Sequence, residues 1–224
     1  MVQTVIFDVD GTLLDSEKIY MGTWISVGAE YGYEIPQGAL LETRAVNEAA
    51  AEKIFKKYCG EDFPYWDILM ARKAPIEELF ASTPPEILRM PGALQTLQTL
   101  KNLGYTIAAA SSTFYEKTCR HLRHAELYDF FDVIVCGDMV DHGKPAPDIF
   151  LKAAELAGTA PNQCIVVGDT PADVLGATAA KIPVILIPDQ VPANEQTRAL
   201  SLSVLPELSK LLDILDTTAK EMSL

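Results

Sequence analysis

The 224-residue sequence predicts an α/β fold: a parallel sheet with helices on both faces, and a helical segment inserted after the first strand. Short apolar runs rich in β-branched residues recur along the chain, and amphipathic helical patterns separate them. Nearly continuous apolar runs are typical of parallel strands that are covered on both faces. A long stretch without such runs follows the first strand, and this stretch indicates the insert.

The predicted strands of the sheet determine where the other elements of the core lie. Strands are predicted over residues 4–7, 106–110, 132–136, 164–168 and 183–187. Leucines at every third position from Leu94 to Leu103 predict a helix that Gly104 ends. A second apolar stripe, from Ile149 to Ala157, predicts another helix between two strands. Strands that alternate with helices in this way form a parallel sheet.

The insert is predicted to span residues 15–87, and the α/β core to comprise residues 1–14 and 88–224. An apolar helical face that includes Tyr20 and Trp24 runs up to Gly32. Two more amphipathic helices are predicted over residues 47–58 and 67–80. Proline-rich sequence at residues 82–85 then marks the return to the core.

The composition disfavours several classes of function. A formal net charge of −13 disfavours binding to nucleic acid or to anionic membranes, because both need clustered Lys and Arg. The four cysteines form no C-x-x-C pair, so no zinc site is expected. The sequence has no signal-peptide pattern and no apolar run near the ~20 residues of a membrane span. A cytoplasmic monomer or weak homo-oligomer is expected.

Two carboxylates follow the first strand, in the segment Asp8-Val9-Asp10-Gly11-Thr12. Strand alternation directs Asp8 and Asp10 to the same side, where two carboxylates repel each other unless a cation or a shared proton intervenes. Gly11 permits a tight turn and a close approach of the backbone to a ligand. Taken alone, the segment would also fit an Asx-rich turn that closes a strand.

Later strand ends carry groups that suit the same chemistry. The run Ser111-Ser112-Thr113 offers hydroxyl and backbone N–H groups to a phosphate, and Lys144 lies on a constrained loop between Gly and Pro. Asp169 and Asp173 follow the fourth strand and are spaced to face one site. Each feature alone would also fit a helix cap or a surface lysine. Because ligands of open parallel sheets bind at the carboxyl ends of the strands, the set together predicts a site for Mg²⁺ and a phosphate group.

These residues resemble the motifs of the haloacid dehalogenase superfamily of phosphohydrolases. The segment from Gly143 to Phe150 resembles the subgroup that contains β-phosphoglucomutases and sugar-phosphate phosphatases. The resemblance covers the α/β part, and the position and helical character of the insert resemble the mobile cap of that subgroup. It implies a Rossmann-like core, Mg²⁺ as the cofactor and a small phosphorylated metabolite as the substrate.

The resemblance also implies a role for each residue. Asp8 is the expected nucleophile, Asp10 is the expected general acid and base, and Lys144 is expected to screen the charge of Asp8. The expected phosphate-binding residues are Gly11, Thr12, Ser111, Ser112 and Lys144. The expected metal ligands are Asp8, Asp10 (through its backbone carbonyl) and Asp169, with Asp173 supporting them from behind. The cap residues expected to select the substrate are Glu17, Tyr20, Arg44, Asn47, Arg72 and Lys73.

A phosphosugar mutase of the β-phosphoglucomutase type is the nearest alternative. The resembling mutases carry a histidine where this chain has Tyr20, and a Glu-Asp pair where it has Gly168-Asp169. Both differences favour a phosphatase. A second alternative is a non-catalytic protein that binds a phosphorylated metabolite on the same fold. The complete set of motif residues speaks against it, and the sequence leaves the substrate open.

Overall fold

The computed structural model describes residues 2–43 and 48–215 and divides into two compact units. One unit comprises Met1–Asp15 and Pro84–Leu224, and the other comprises Ser16–Thr83. The second break lies four residues before the predicted one, because the returning chain is hydrogen-bonded to the first segment of the core. Asp15 N–H donates to the carbonyl of Leu88, and Met90 N–H donates to the carbonyl of Leu13.

The larger unit contains a six-stranded sheet in the order β3-β2-β1-β4-β5-β6, and every pairing is parallel. The strands are β1 Thr4–Phe7, β2 Thr106–Ser111, β3 Val133–Cys136, β4 Cys164–Gly168, β5 Val184–Leu186 and β6 Ser203–Val204. The five predicted strands are therefore confirmed to within one residue, and β6 is an addition at the edge. Strand β1 lies at the centre between β2 and β4, so its carboxyl end is flanked on both sides.

The α-helices of the described residues follow the predicted alternation. They are α1 Ser16–Glu30, α2 Gln37–Glu42, α3 Glu48–Cys59, α4 Tyr65–Ala71, α5 Lys73–Ser82, α6 Pro85–Leu88, α7 Ala93–Asn102, α8 Tyr115–His124, α9 Asp148–Leu156, α10 Pro171–Ala179 and α11 Glu195–Leu200. Helices α7 to α10 each contact a strand of the sheet. The predicted α/β class is thus confirmed. Within the described residues, no helix has the length and apolar character needed to cross a bilayer.

The core of the larger unit forms where α9 and α10 cover the sheet. Ile6 of β1 and Val166 of β4 belong to one buried cluster with Phe150 of α9 and Val174 of α10. Burying an aliphatic or aromatic side chain of this size contributes about 1.5–3 kcal/mol. This packing fixes the strand ends, and therefore the groups that follow them, in a rigid frame.

The smaller unit is helical and has its own core. Trp24 of α1 packs on Phe55 of α3 with ring centroids 4.2 Å apart, and Phe55 stacks on Phe63 at 5.3 Å. The single helix predicted over residues 67–80 is wrong, because α4 and α5 divide at Arg72. Pro75 has no N–H with which to continue the helical hydrogen bonds, so it fits only in the first turn of a new helix.

Candidate active site

The site begins at the carboxyl end of β1. Asp8 N–H donates to the carbonyl of Val167 at 2.8 Å, which ties the ends of β1 and β4 together and brings Asp8 near Asp169. Gly11 follows with φ +88°, a left-handed conformation that favours glycine. A Cβ at position 11 would lie 2.5 Å from Asp169 Oδ2. Only glycine allows this turn to pass so close to the carboxylate.

Three carboxylates converge behind this turn. One oxygen from each of Asp8, Asp169 and Asp173 lies within 4.8 Å of the others, and all three residues are buried. Thr12 Oγ1 donates to Asp169 Oδ1 at 3.0 Å and orients that carboxylate. The hydroxyl of Thr12 is therefore engaged with Asp169 in this structure, whereas the sequence predicted it as a phosphate ligand.

The ammonium group of Lys144 joins two of these carboxylates. Its Nζ lies 2.5 Å from Asp8 Oδ1 and 2.7 Å from Asp173 Oδ1, and it donates to the carbonyl of Ala110 at 2.7 Å. The side chain is only 4% exposed, so its ion pairs with Asp8 and Asp173 are both buried. Lys144 thus lies against Asp8, as the predicted screening role requires.

Burial and repulsion perturb the protonation of this cluster. Burial raises the pKa of Asp8 to about 7, although attraction to Lys144 opposes the shift. Burial, with repulsion from Asp8, also raises the pKa of Asp169 well above its usual range. Burial alone would lower the pKa of Lys144, but Asp173 and Asp8 outweigh it and raise the pKa above its ordinary value.

The charge balance of the cluster fits a divalent cation. Three buried carboxylates face one ammonium group, so the fully ionised set has two uncompensated negative charges. Carboxylate oxygens are hard ligands of the kind that Mg²⁺ prefers. The donor set therefore fits the cofactor that the sequence predicted. Asp10 is outside this carboxylate set.

Asp173 is held in place by its own helix and by the glycine before Asp169. Its Oδ2 accepts hydrogen bonds from Thr170 N–H at 3.0 Å and from Thr170 Oγ1 at 2.6 Å. The backbone N–H of Asp173 donates in return to Thr170 Oγ1 at 3.3 Å, which completes a capping box at the start of α10. A Cβ at position 168 would lie 2.6 Å from Asp173 Cβ and Cγ. Gly168 therefore leaves the space that Asp173 occupies beside Lys144.

The hydroxyl groups after β2 approach Asp10. Thr113 Oγ1 donates to Asp10 Oδ2 at 3.0 Å, and Ser111 Oγ donates to the same oxygen at 3.4 Å. Ser111 is fully buried, whereas Ser112 is exposed. The sequence predicts Ser111 and Ser112 as phosphate ligands, and the structure adds Thr113 as a further hydroxyl group at this site. A third hydroxyl in the run was the available signal, but the sequence does not show which one turns towards Asp10.

The residues predicted in the cap have different environments within the smaller unit. Arg72 is 4% exposed, and its guanidinium donates to Thr23 Oγ1 at 3.0 Å and to the carbonyl of Tyr20 at 2.6 Å. It also lies 3.9 Å from the centre of the Trp24 ring, and burial lowers its pKa to about 9. This placement speaks against the substrate contact predicted for Arg72.

The other cap candidates within the described residues are less buried than Arg72. Lys73 is exposed, and Glu17 and Tyr20 are half-buried on α1. Arg44 and Asn47 lie outside the described residues. The part these residues play in substrate selection stays a prediction.

Comparison with known proteins places this geometry in a family. Residues 5–187 match the family described as haloacid dehalogenase-like hydrolase. The chain belongs to this family. The motif residues Asp8, Lys144 and Asp169 all lie in the matched region, and the family predicted from them is confirmed.

Two curated relatives of this haloacid dehalogenase-like hydrolase are phosphatases. The chain is 30% identical to "Phosphoglycolate phosphatase" of Aquifex aeolicus over 95% of its own length and 97% of the relative's. It is 30% identical to "Phosphorylated carbohydrates phosphatase" of Thermotoga maritima over 81% and 82% of the two lengths. These relatives bear out the predicted enzyme class, a haloacid dehalogenase-like phosphatase.

A solved structure supports the fold over nearly the whole hydrolase. The "putative beta-phosphoglucomutase from Thermotoga maritima" superposes with a TM-score of 0.79 at 25% identity. The match covers 96% of this chain and 99% of that one. The similarity therefore includes both the core and the cap portion of the sequence.

Proposed function

We propose that this protein is a Mg²⁺-dependent phosphatase that hydrolyses a small phosphorylated metabolite through an aspartyl-phosphate on Asp8. The observation that carries the proposal is the buried contact between Asp8 and Lys144 beside two further carboxylates, at the carboxyl end of β1. Ligands of open parallel sheets bind at this edge. Phosphoryl transfer requires mainly positioning and neutralisation of charge, and this cluster is suited to both.

In the first half of the reaction, a carboxylate oxygen of Asp8 attacks phosphorus and the bond from phosphorus to the ester oxygen breaks. Asp10 gives its proton to the departing oxygen, so the leaving group departs as an alcohol. Asp8 is left phosphorylated, and Asp10 is left as a carboxylate. The acceptor contacts of Asp10 with Ser111 and Thr113 keep its carboxyl group at this edge of the sheet.

In the second half, Asp10 takes a proton from water while the water oxygen bonds to phosphorus. The bond from phosphorus to Asp8 then breaks and orthophosphate forms. Both aspartates return to their starting protonation states. No external reactant other than water is needed.

The metal would be held by Asp8, Asp169 and the backbone carbonyl of Asp10, with Asp173 close enough to serve as a further ligand or to support the first ones. When bound, Mg²⁺ supplies positive charge that neutralises the transferring phosphoryl group. Lys144 screens Asp8 so that it can approach an anionic ester. Gly11 and Ser111 remain proposed contacts to the phosphoryl oxygens.

The relatives support a proposal for the substrate class. The two phosphatase relatives are named for phosphoglycolate and for phosphorylated carbohydrates, so we propose a small phosphorylated acid or sugar. Exposed Lys73, with Glu17 and Tyr20, remains in the proposed set of cap contacts. Arg44 and Asn47, which lie outside the described residues, also remain proposed. The four cysteines are free thiols, which supports a reducing compartment such as the cytoplasm.

A phosphosugar mutase is the second candidate, because one structurally similar protein is a putative β-phosphoglucomutase of Thermotoga maritima. Gly168 opposes this candidate, since a side chain there would collide with Asp173. Incubation with β-glucose-1-phosphate separates the two reactions. A phosphatase releases orthophosphate, whereas a mutase forms glucose-6-phosphate.

The test of the proposed function is Asp8→Asn with Mg²⁺ and a panel of sugar phosphates, phosphoglycolate, nucleotides and p-nitrophenyl phosphate. We expect wild-type protein to release phosphate and Asp8→Asn to lose turnover while keeping the wild-type circular dichroism. Near-normal turnover by Asp8→Asn would refute the covalent route. A wild-type protein that is silent on the whole panel, yet binds one member, would identify a non-catalytic binding protein.

A further inference from the structure

Asp10 handles the proton in both halves of the proposed reaction, so the direction of its carboxyl group matters. Asp10 is half-buried, and hydrogen bonds to its carboxyl group help to fix the direction of that group. Its Oδ2 accepts the Thr113 hydroxyl at 3.0 Å, within the usual range for this bond, and the Ser111 hydroxyl at the longer distance of 3.4 Å. Thr113 is therefore the closer of the two hydroxyl donors.

Thr113 is itself held by the backbone around it. Its N–H donates to Ser111 Oγ at 3.1 Å, and its carbonyl accepts from Gly137 N–H at 3.2 Å, just after β3. A Cβ at position 137 would lie 2.5 Å from the carbonyl oxygen of Ser112, so glycine allows this close approach of two loops. The Thr113 hydroxyl is thus placed by the ends of β2 and β3.

The Ser111 hydroxyl has other partners that share it. It accepts from the Thr113 backbone and lies 3.4 Å from Thr118 Oγ1, from which it also accepts. The Ser111 hydroxyl therefore connects Asp10 to Thr118, whereas the Thr113 hydroxyl donates directly to Asp10. The two hydroxyls therefore differ in their hydrogen-bond partners although they are two residues apart.

We propose that Thr113 is a positioning residue for Asp10, whose carboxyl group it directs towards the leaving oxygen and then towards water. The inference rests on the proposed function and adds to it a residue that needs no contact with phosphate or metal. In the first step, Asp10 transfers its proton to the ester oxygen as that oxygen separates from phosphorus. Thr113 keeps its own proton throughout.

This role predicts an effect that depends on the leaving group. An alkyl alkoxide is a poor leaving group and needs the proton of Asp10, whereas p-nitrophenolate departs without one. We expect Thr113→Val to lower kcat/KM by about 10–100-fold for an alkyl phosphate that the wild type hydrolyses, because misdirecting a general acid has effects of this size. For p-nitrophenyl phosphate, the fall should be no more than about threefold, since general-acid help is then dispensable.

Matched variants isolate the hydroxyl. Thr113→Ser keeps a donor and should recover most of the alkyl phosphate activity. Thr99→Val makes the same replacement at a half-buried threonine on α7, whose hydroxyl donates to the Gln95 carbonyl of the same helix at 2.8 Å, and it should match wild type. In an Asp10→Ala background, Thr113→Val should cause no further loss, because the residue it positions is gone.

Several results would overturn the inference. They are equal falls for both substrates, wild-type activity of Thr113→Val, failure of Thr113→Ser to recover activity, or a full additional loss in the Asp10→Ala background. Circular dichroism and thermal unfolding establish that each variant is folded, and Thr113→Ala serves as a second deletion if the valine does not fit. A wild-type enzyme that hydrolyses neither substrate would instead overturn the proposed function.

Discussion

Replacing Lys144 by Met is expected to destabilise the core unit strongly. The Lys144 ammonium lies 2.5 Å from Asp8 and 2.7 Å from Asp173 with a side chain only 4% exposed, so its loss leaves two buried carboxylates without their cation. Removing one partner of a buried ion pair destabilises a protein by about 3–5 kcal/mol. At about 2–4 °C per kcal/mol for a chain of this size, Tm should fall by about 6–20 °C.

The assay is thermal and urea unfolding, monitored by circular dichroism. EDTA is present so that no bound metal ion compensates the negative charge of Asp8 and Asp173. Lys152→Met is the matched control, because Lys152 pairs with Glu155 at 3.3 Å on the surface, with side-chain exposures of 39% and 69%. Exposed pairs contribute only about 0–1 kcal/mol. Adding Asp8→Asn to Lys144→Met should recover part of the loss, because it removes an unpaired buried charge. A Tm change for Lys144→Met as small as that of the control would refute the reasoning.

Three further predictions test the metal requirement, the packing of Gly168 against Asp173, and the buried position of Arg72 in the cap. EDTA should abolish phosphate release and Mg²⁺ should restore it; Mg²⁺ at about 100 times its Kd should also stabilise the fold by about 2.7 kcal/mol. Full activity in EDTA would contradict the proposed requirement for Mg²⁺. Gly168→Ala should destabilise by about 1–3 kcal/mol, because its Cβ would lie 2.6 Å from Asp173, whereas Gly22→Ala, whose Cβ meets nothing within 4 Å, should not destabilise. An unchanged urea midpoint for Gly168→Ala would count against the packing argument. Arg72→Met should lower the free energy of unfolding by about 1.5–3 kcal/mol through its lost charged hydrogen bonds, Arg72→Lys should not restore it, and exposed Lys73→Met should leave it unchanged. Equal effects at positions 72 and 73 would contradict the buried placement.

The strands could be predicted because each is an almost uninterrupted apolar run bounded by polar or glycine residues. Thr4–Phe7 and Cys164–Gly168 are buried along their whole length, so pattern and structure coincide. The edge strand Ser203–Val204 has only two half-buried residues and therefore leaves no such pattern. The division of the helix at Arg72 was also visible in principle, because Pro75 follows three residues later.

The site could be predicted down to its backbone positions but not to its side-chain contacts. Parallel strands bring Asp8 and Asp169 to one edge whatever the side chains do, whereas Lys144 reaches them from the loop after β3. Arg72 and Lys73 show why side-chain contacts could not be predicted from the sequence. They are neighbouring cations in the sequence, yet the first is buried under Trp24 and the second is exposed. Only the tertiary packing of the helices decides between them.

The glycine before Asp169 bears directly on which reaction the site can perform. A glutamate at position 168, as in the Glu-Asp pair of the resembling mutases, would begin with a Cβ 2.6 Å from Asp173 Cβ and Cγ. Asp173 would have to leave, and Lys144 would lose the carboxylate 2.7 Å from its ammonium. The contact between Lys144 and Asp173 and a mutase-like pair are therefore mutually exclusive on this backbone. For this reason we expect β-glucose-1-phosphate, if it is accepted, to yield glucose and orthophosphate. Accumulation of glucose-6-phosphate with the wild-type enzyme would show that Gly168 does not exclude the transfer.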